Sequence, residues 1–97
     1  MKAKEAFKAF GGKAKADRMA DNLSAKYGIL VEIAPHVNEE KPTDNWMNVM
    51  FTYRTENEAN FIKAFDELQE EFFKCDLEME YECNGDGDGI IMSYRVR

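Results

Sequence analysis

Residues 77–96 read LEMEYECNGDGDGIIMSYRV, and this stretch decides the fold that the sequence predicts. Apolar and acidic residues alternate from Leu77 to Cys83, which is the period of a half-buried β-strand. Gly and Asp residues then alternate over 84–89, as in a hairpin loop that needs positive φ angles. The β-branched segment 90–96 predicts the returning strand. We therefore expect a β-hairpin with one acidic face, on which carboxylates follow one another at about 6.6 Å.

The simplest register of this hairpin pairs Cys83 with Ile90. It directs four side chains into the core, namely Leu77, Met79, Tyr81 and Cys83. On the outer face it places two carboxylates opposite cations, Glu78 opposite Arg95 and Asp76 opposite Arg97. Two others face neutral residues, Glu80 opposite Ser93 and Glu82 opposite Ile91. The uncompensated negative charge is therefore expected at the tip of the hairpin, on Glu80, Glu82, Asp86 and Asp88.

The first half of the chain predicts two helices and two strands. Residues 2–10 contain good helix formers and end at Gly11-Gly12, and residues 13–27 form an apolar stripe that ends at Gly28. Strands are expected at 29–34, where Pro35 ends the pattern, and at 45–54, with a polar loop at 35–44 between them.

A capping box at Thr55–Glu58 predicts the start of a long helix that ends near Lys74. Its apolar residues recur at helical spacing and are expected in the core: Phe61, Phe65, Leu68 and Phe72. Its polar side is acidic and extends the acidic surface with four further carboxylates: Asp66, Glu67, Glu70 and Glu71. We expect two favourable pairs on this helix, Lys63 with Glu67 and Glu70 with Lys74.

The elements follow the order αββαββ after a short extra N-terminal helix. Residues 1–97 are expected to form a single α+β domain, with a four-stranded antiparallel sheet and the two main helices on one face. The order is also a circular permutation of the βαββαβ ferredoxin-like arrangement.

The charge is concentrated in the second half of the chain. Residues 1–54 hold nine basic and seven acidic side chains, whereas residues 55–97 hold four basic and twelve acidic ones. Such a chain repels nucleic acid and anionic membranes and attracts basic protein surfaces. The expected partner is the basic surface of a nucleic-acid-binding protein or complex, with no direct contact to nucleic acid or membrane, and the chain itself is a monomer or homodimer.

Several other functions are not expected. Neither a signal peptide nor a membrane-spanning run is evident, so the chain is expected in the cytoplasm with Cys75 and Cys83 reduced. His36 has no partner ligand at motif spacing, and no catalytic constellation indicates an enzyme. The NGDGDG segment resembles the start of a calcium loop, but Arg95 stands where a bidentate Glu is required. No cofactor or metal is expected.

An alternative binding site is the outer face of the sheet. Trp46 and Met50 are expected there, and an exposed Trp is a frequent centre of binding energy. The competing interpretation is that the N-terminal helix covers this patch, with Phe7 and Phe10 packed on Trp46. Carboxylates on the same face argue against RNA binding.

In size, charge and layout the chain resembles small phage-encoded acidic inhibitors, the class of anti-CRISPR and other DNA-mimicking proteins. No family motif is matched, so the resemblance carries over no individual residue. It implies an inhibitor that acts in the bacterial host cell. Its Asp and Glu side chains would take the place of phosphates in the nucleic-acid groove of a defence complex such as a CRISPR–Cas effector.

Overall fold

A computed structural model describes residues 2–36, 40, 45–87 and 89–97, without the side chain of Asp86. The chain order is α1 (Ala3–Phe10), α2 (Lys13–Tyr27), β1 (Leu30–His36), β2 (Trp46–Tyr53), a 3-10 turn (Thr55–Asn57), α3 (Glu58–Phe73), β3 (Met79–Asp86) and β4 (Ile90–Val96). This sequence of elements is the α+β arrangement that the residue pattern predicts.

The four strands form one sheet in the order β1-β2-β4-β3, and every neighbouring pair is antiparallel. Two hairpins, β1–β2 and β3–β4, are joined where β2 pairs with β4. Because β4 lies between β2 and β3, the unit β2-α3-β3 is a split βαβ unit. The edges of the sheet are β1 and β3.

Two glycines end the first two helices. Gly11 has φ 111° and donates its N–H to the Phe7 carbonyl, and Gly12 donates to the same oxygen. Gly28 has φ 65° and caps α2 by donating to the Ser24 carbonyl. A Cβ atom is strained at such angles, so these positions favour glycine. The Ser24 hydroxyl also accepts a hydrogen bond from the Val31 N–H, which ties α2 to the start of β1.

The three helices share one core on one face of the sheet. Phe51 on β2 is fully buried, and its ring contacts those of Phe61 and Phe65 on α3 and Tyr94 on β4. Phe61, Leu68 and Phe72 are buried and Phe65 is half-buried, which confirms the predicted core side of α3. Phe10 of α1 packs on Phe72 with ring centroids 4.8 Å apart. The other face of the sheet, which we call the open face, lies opposite this helical layer.

Two local expectations were wrong. Strand β1 continues through Pro35 to His36, because a proline without an N–H is tolerated on an edge strand. The Thr55–Glu58 capping box does not open the helix, because Thr55 lies inside a 3-10 turn and the N-cap of α3 is Asn57, which makes no side-chain cap hydrogen bond. The 3-10 turn leads into α3 instead.

The buried tyrosines predict a loss of stability at alkaline pH. Burial raises the pKa of Tyr94, with smaller contributions from Tyr53 and Tyr81, and burial with the Glu58 charge raises that of Tyr53. The stability that these hydroxyls contribute is complete below the unfolded value of about 10 and is lost as the pH rises through the higher folded values. Urea denaturation between about pH 8 and 11 measures this loss. The double variant Tyr53→Phe/Tyr94→Phe should lose less stability over that range, and an equal loss would contradict the assignment.

Candidate protein-binding site

The β3–β4 hairpin adopts a different register from the predicted one. Asp86, not Cys83, pairs with Ile90, and Tyr81 pairs with Tyr94. A bulge between Tyr81 and Cys83 shifts the ladder, so that Cys83 pairs with Ser93. Cys83 is exposed and belongs to the open face, and Tyr81, although on the helical side, is also exposed. The expectation that both point into the core was wrong, whereas Leu77 and Met79 are buried as expected.

This register places cations next to the two glutamates that were expected to keep their charge. Glu80 lies opposite Arg95 in the ladder, and its Oε2 lies 3.1 Å from the Nε of Arg97. Glu82, at the bulge, accepts a hydrogen bond from Arg95 Nη2 at 3.3 Å. The predicted opposition of Glu78 and Arg95 was wrong, because Glu78 exchanges both backbone hydrogen bonds with Arg97. The outer acidic row is therefore largely compensated by the neighbouring strand.

The tip of the hairpin is described only in part. Asn84 and Asp86 belong to the β3 ladder, where they pair with Met92 and Ile90. The Asp86 side chain and the whole of Asp88 lie outside the described residues. Their expected role in binding stays a prediction.

Two of the four acidic residues predicted on α3 are engaged in ion pairs. Glu67 Oε1 accepts a hydrogen bond from Lys26 of α2 at 2.7 Å, and Glu71 Oε1 accepts one from Lys74 at 3.0 Å. The hydrogen bond from Lys26 is the main cause that lowers the pKa of Glu67, and the nearby Tyr27 hydroxyl adds to it. The expected pair of Lys63 with Glu67 was wrong, because Lys26 approaches Glu67 from the neighbouring helix. Lys74 hydrogen-bonds Glu71 and not Glu70, and this bond is the main cause of the raised pKa of Lys74, to which the Glu70 charge also contributes.

Asp66 and Glu70 are the two α3 carboxylates that remain. Both are exposed, and within the described part of the chain neither lies within ion-pair distance of a cation. They are separated by four residues of helix and therefore neighbour each other on its surface. Of the predicted binding residues with described side chains, these two make no close ion pair and can offer their charge to a partner.

The helix and hairpin carboxylates are not on one surface. The α3 residues belong to the helical layer, whereas Glu80 and Glu82 reach Arg97 and Arg95 from the other side of the sheet. The sheet itself separates the two groups, so a flat partner surface contacts one or the other.

Trp46 is buried, although it lies on the open face. It is only 8% exposed and does not belong to the core cluster beneath the helices. Its ring stacks on His36 of β1 with centroids 4.2 Å apart, and the Arg95 guanidinium of β4 lies 4.0 Å from the ring centroid. Arg95 in turn bonds Glu82 of β3. These four side chains, one from each strand, form what we call the cross-sheet ladder: His36, Trp46, Arg95 and Glu82.

Both expectations about Trp46 were therefore wrong. It is not an exposed anchor, because His36 and Arg95 cover the two sides of its ring. The N-terminal helix does not cover it either, since Phe7 and Phe10 belong to the core on the opposite face. Cation–π contact and stacking give the ring a structural role.

The other end of the open face is apolar. Thr52 pairs with Leu30 on one side and with Ile91 on the other, and half-buried Met50 precedes it by two residues on the same face. Leu30, Thr52, Arg54 and Ile91 help to line an open groove of about 580 Å³. The ladder and this apolar end divide the open face into two chemically different halves.

Three exposed apolar residues on α3 and β3 were not expected from the residue pattern. Ile62 is 50% exposed, Phe73 54% and Tyr81 58%. A signal was present for two of them, because at 100° per residue Ile62 and Phe73 fall well outside the stripe formed by Phe61, Leu68 and Phe72. Tyr81 could not be found in this way, since its alternation with the glutamates indicated a core position.

Three findings bear on other chemistries. The described residues include no group of three or more His, Cys, Asp or Glu side chains that could hold a metal ion. No helix in the described ranges is long and apolar enough to cross a bilayer. Cys75 and Cys83 are free thiols.

Comparison with protein-family models, with curated proteins and with solved structures finds no match to this chain. The function is therefore inferred from the geometry and charge of the residues described above.

Proposed function

We propose that this chain is a small acidic protein-binding inhibitor that occupies the basic, nucleic-acid-binding surface of a partner in the cytoplasm. The observation that carries this proposal is the pair of exposed carboxylates on α3, Asp66 and Glu70, which lack the ion pairs that compensate their neighbours. The net charge of −6 gives the whole molecule the matching sign.

DNA mimicry is the mechanism that this proposal implies. Carboxylates on one helix face take the place of backbone phosphates and pair with the Lys and Arg side chains that line a nucleic-acid groove. A bacterial defence complex such as a CRISPR–Cas effector offers a groove of this kind. Glu80 and Glu82 contribute to such a contact only if each exchanges its arginine for a cation of the partner. Asp66 and Glu70 on α3 are therefore the main carboxylates that we expect to contact the partner.

A capture experiment tests this function. The immobilised chain is incubated with bacterial lysate at about 0.1 M and at about 1 M salt, between which the Debye length falls from about 10 to about 3 Å. We expect a basic nucleic-acid-binding protein that is retained much more strongly at low salt. The purified partner should then lose its DNA in a gel-shift assay as the chain is added. Retention that does not depend on salt, or a partner that keeps its DNA, contradicts the proposal.

A second candidate function uses the open face without mimicry. Trp46 does not support it, because its ring is buried. At the apolar end of the open face, however, Leu30 is exposed and Met50 and Ile91 are half-buried beside the groove. A protein-interaction or dimerisation module would bury these side chains. It predicts that Leu30→Thr weakens binding whereas substitutions at Asp66 and Glu70 do not.

A further inference from the structure

Three of the four large apolar side chains that are exposed in the described ranges lie on α3 or beside it. They are Ile62, Phe73 and Tyr81, and the fourth, Leu30, lies on β1. Single exposed apolar residues are common on protein surfaces, but a group of them next to uncompensated charge is typical of an interface.

The two helical residues share a strip with the free carboxylates. Ile62, Asp66 and Glu70 follow one another at four-residue spacing, and Phe73 lies three residues beyond Glu70. Such spacings place neighbours on one side of a helix. The carboxylates thus lie between two apolar ends. Glu67, which contacts Lys26 of α2, lies about 140° around the helix from Ile62, so the apolar ends of this strip face away from α2.

Tyr81 lies on the same side of the sheet as α3, opposite Tyr94 on the neighbouring strand. Its ring lies 5.9 Å from that of Tyr94, and the Tyr94 ring lies 5.0 Å from Phe65, one turn of α3 from Ile62. Strand β3 is an edge strand, so within the described part of the chain no further strand covers this side chain. We call the surface of Ile62, Asp66, Glu70, Phe73 and Tyr81 the α3 flank.

We propose that the α3 flank binds a protein surface in which Lys or Arg side chains border an apolar cleft. This inference rests on the proposed function and adds the apolar half of the recognition. The carboxylates pair with the basic border and orient the encounter, while Ile62, Phe73 and Tyr81 enter the cleft. Charge complementarity mainly raises the association rate, and buried apolar anchors mainly slow dissociation.

The sign of the charge selects this partner over a second copy of the chain and over a membrane. A symmetric contact through the α3 flank would bring Asp66 and Glu70 of one copy close to those of the other, between two molecules of charge −6 each. Anionic lipid headgroups repel the same carboxylates. A basic protein surface satisfies both the charged and the apolar part of the flank.

The test uses two synthetic peptides of about 15 residues, long enough to form a helix. One is amphipathic, with a Leu face and a Lys face, and the other has Gln in place of Leu at equal charge. Fluorescence anisotropy of labelled peptide gives Kd for the full chain and its variants. The variants are Ile62→Gln/Phe73→Gln, in which exposed apolar groups become polar, and Leu30→Thr as a control on the opposite face.

We expect the amphipathic peptide to bind at least about tenfold more tightly than the polar one, and this advantage to persist at about 1 M salt. The Ile62→Gln/Phe73→Gln variant should bind the two peptides with equal affinity, and Leu30→Thr should still bind the amphipathic peptide more tightly. Amide shifts in NMR spectra should map the peptide to the α3 flank.

Other outcomes overturn the inference in distinguishable ways. Equal affinity for the two peptides shows that charge alone binds, so the inference fails and the acidic binding function stands. If Leu30→Thr removes the tighter binding of the amphipathic peptide, the apolar contact lies on the open face. Failure of both peptides to bind at low salt contradicts the proposed function as well. Light scattering tests for dimers of the chain at micromolar concentration. If dimers form and disappear in the Ile62→Gln/Phe73→Gln variant, a second copy of the chain binds the α3 flank, and the proposed partner is wrong.

Discussion

Replacing Trp46 with alanine is expected to lower the free energy of unfolding by about 3 kcal/mol. The variant removes a ring that is 8% exposed and that separates His36 from Arg95. It leaves a gap on the open face, and Arg95 loses a cation–π contact of roughly 1 to 2 kcal/mol. Chemical denaturation followed by far-UV circular dichroism measures the change.

Met50→Ala is the matched control for this prediction. Met50 lies on the same strand and the same face but is only half-buried, so we expect it to cost about 1 kcal/mol or less. If Trp46→Ala lowered the free energy of unfolding no more than Met50→Ala does, the cross-sheet ladder would not contribute to stability. If it left stability unchanged and abolished partner binding, Trp46 would be the exposed anchor that the residue pattern first indicated.

Reversing the two free carboxylates of α3 is expected to slow association with a basic partner at least about tenfold at low salt. The variant Asp66→Lys/Glu70→Lys replaces two exposed negative charges at the centre of the α3 flank with positive ones. Stopped-flow fluorescence with the Lys-rich polar peptide gives the rate constant. The effect should shrink at about 1 M salt, since screening there acts over about 3 Å.

The control for this prediction is a double variant with the same net charge, in which the reversed carboxylates lie elsewhere on the protein. Asp21→Lys/Glu32→Lys changes two exposed carboxylates on α2 and β1, so both double variants shift the net charge from −6 to −2. A local site predicts that the α3 variant is several times slower than the control. Equal rates would mean that net charge steers the encounter and that α3 holds no particular site.

The regular elements could be predicted from the sequence, and the details of the hairpin could not. Helix α2 begins and ends where the apolar stripe and Gly28 indicate. The register was missed because Asn84, Gly85 and Asp86 disfavour strands, and yet all three pair in the β3–β4 ladder. The bulge beside Glu82 left no sign in the alternating pattern, and it changes which carboxylates meet an arginine.

The burial of Trp46 could not be predicted from the sequence for a related reason. Its partner His36 follows Pro35, which reads as the end of a strand, so the stacking of the two rings requires a residue that sequence rules place in a loop. Arg95 lies almost fifty residues further along the chain and reaches Trp46 only because β4 pairs with β2. By contrast, exposed Ile62 and Phe73 could have been found by applying helical periodicity to every apolar residue of α3.

The cross-sheet ladder gives the protein a built-in spectroscopic reporter. The chain has one tryptophan, and its ring touches His36 within the first hairpin and Arg95 across the junction between the two hairpins. The two contacts form in different steps if the hairpins fold before they join. Time-resolved emission of Trp46 during refolding would then separate closure of the first hairpin from assembly of the whole sheet, without any added label.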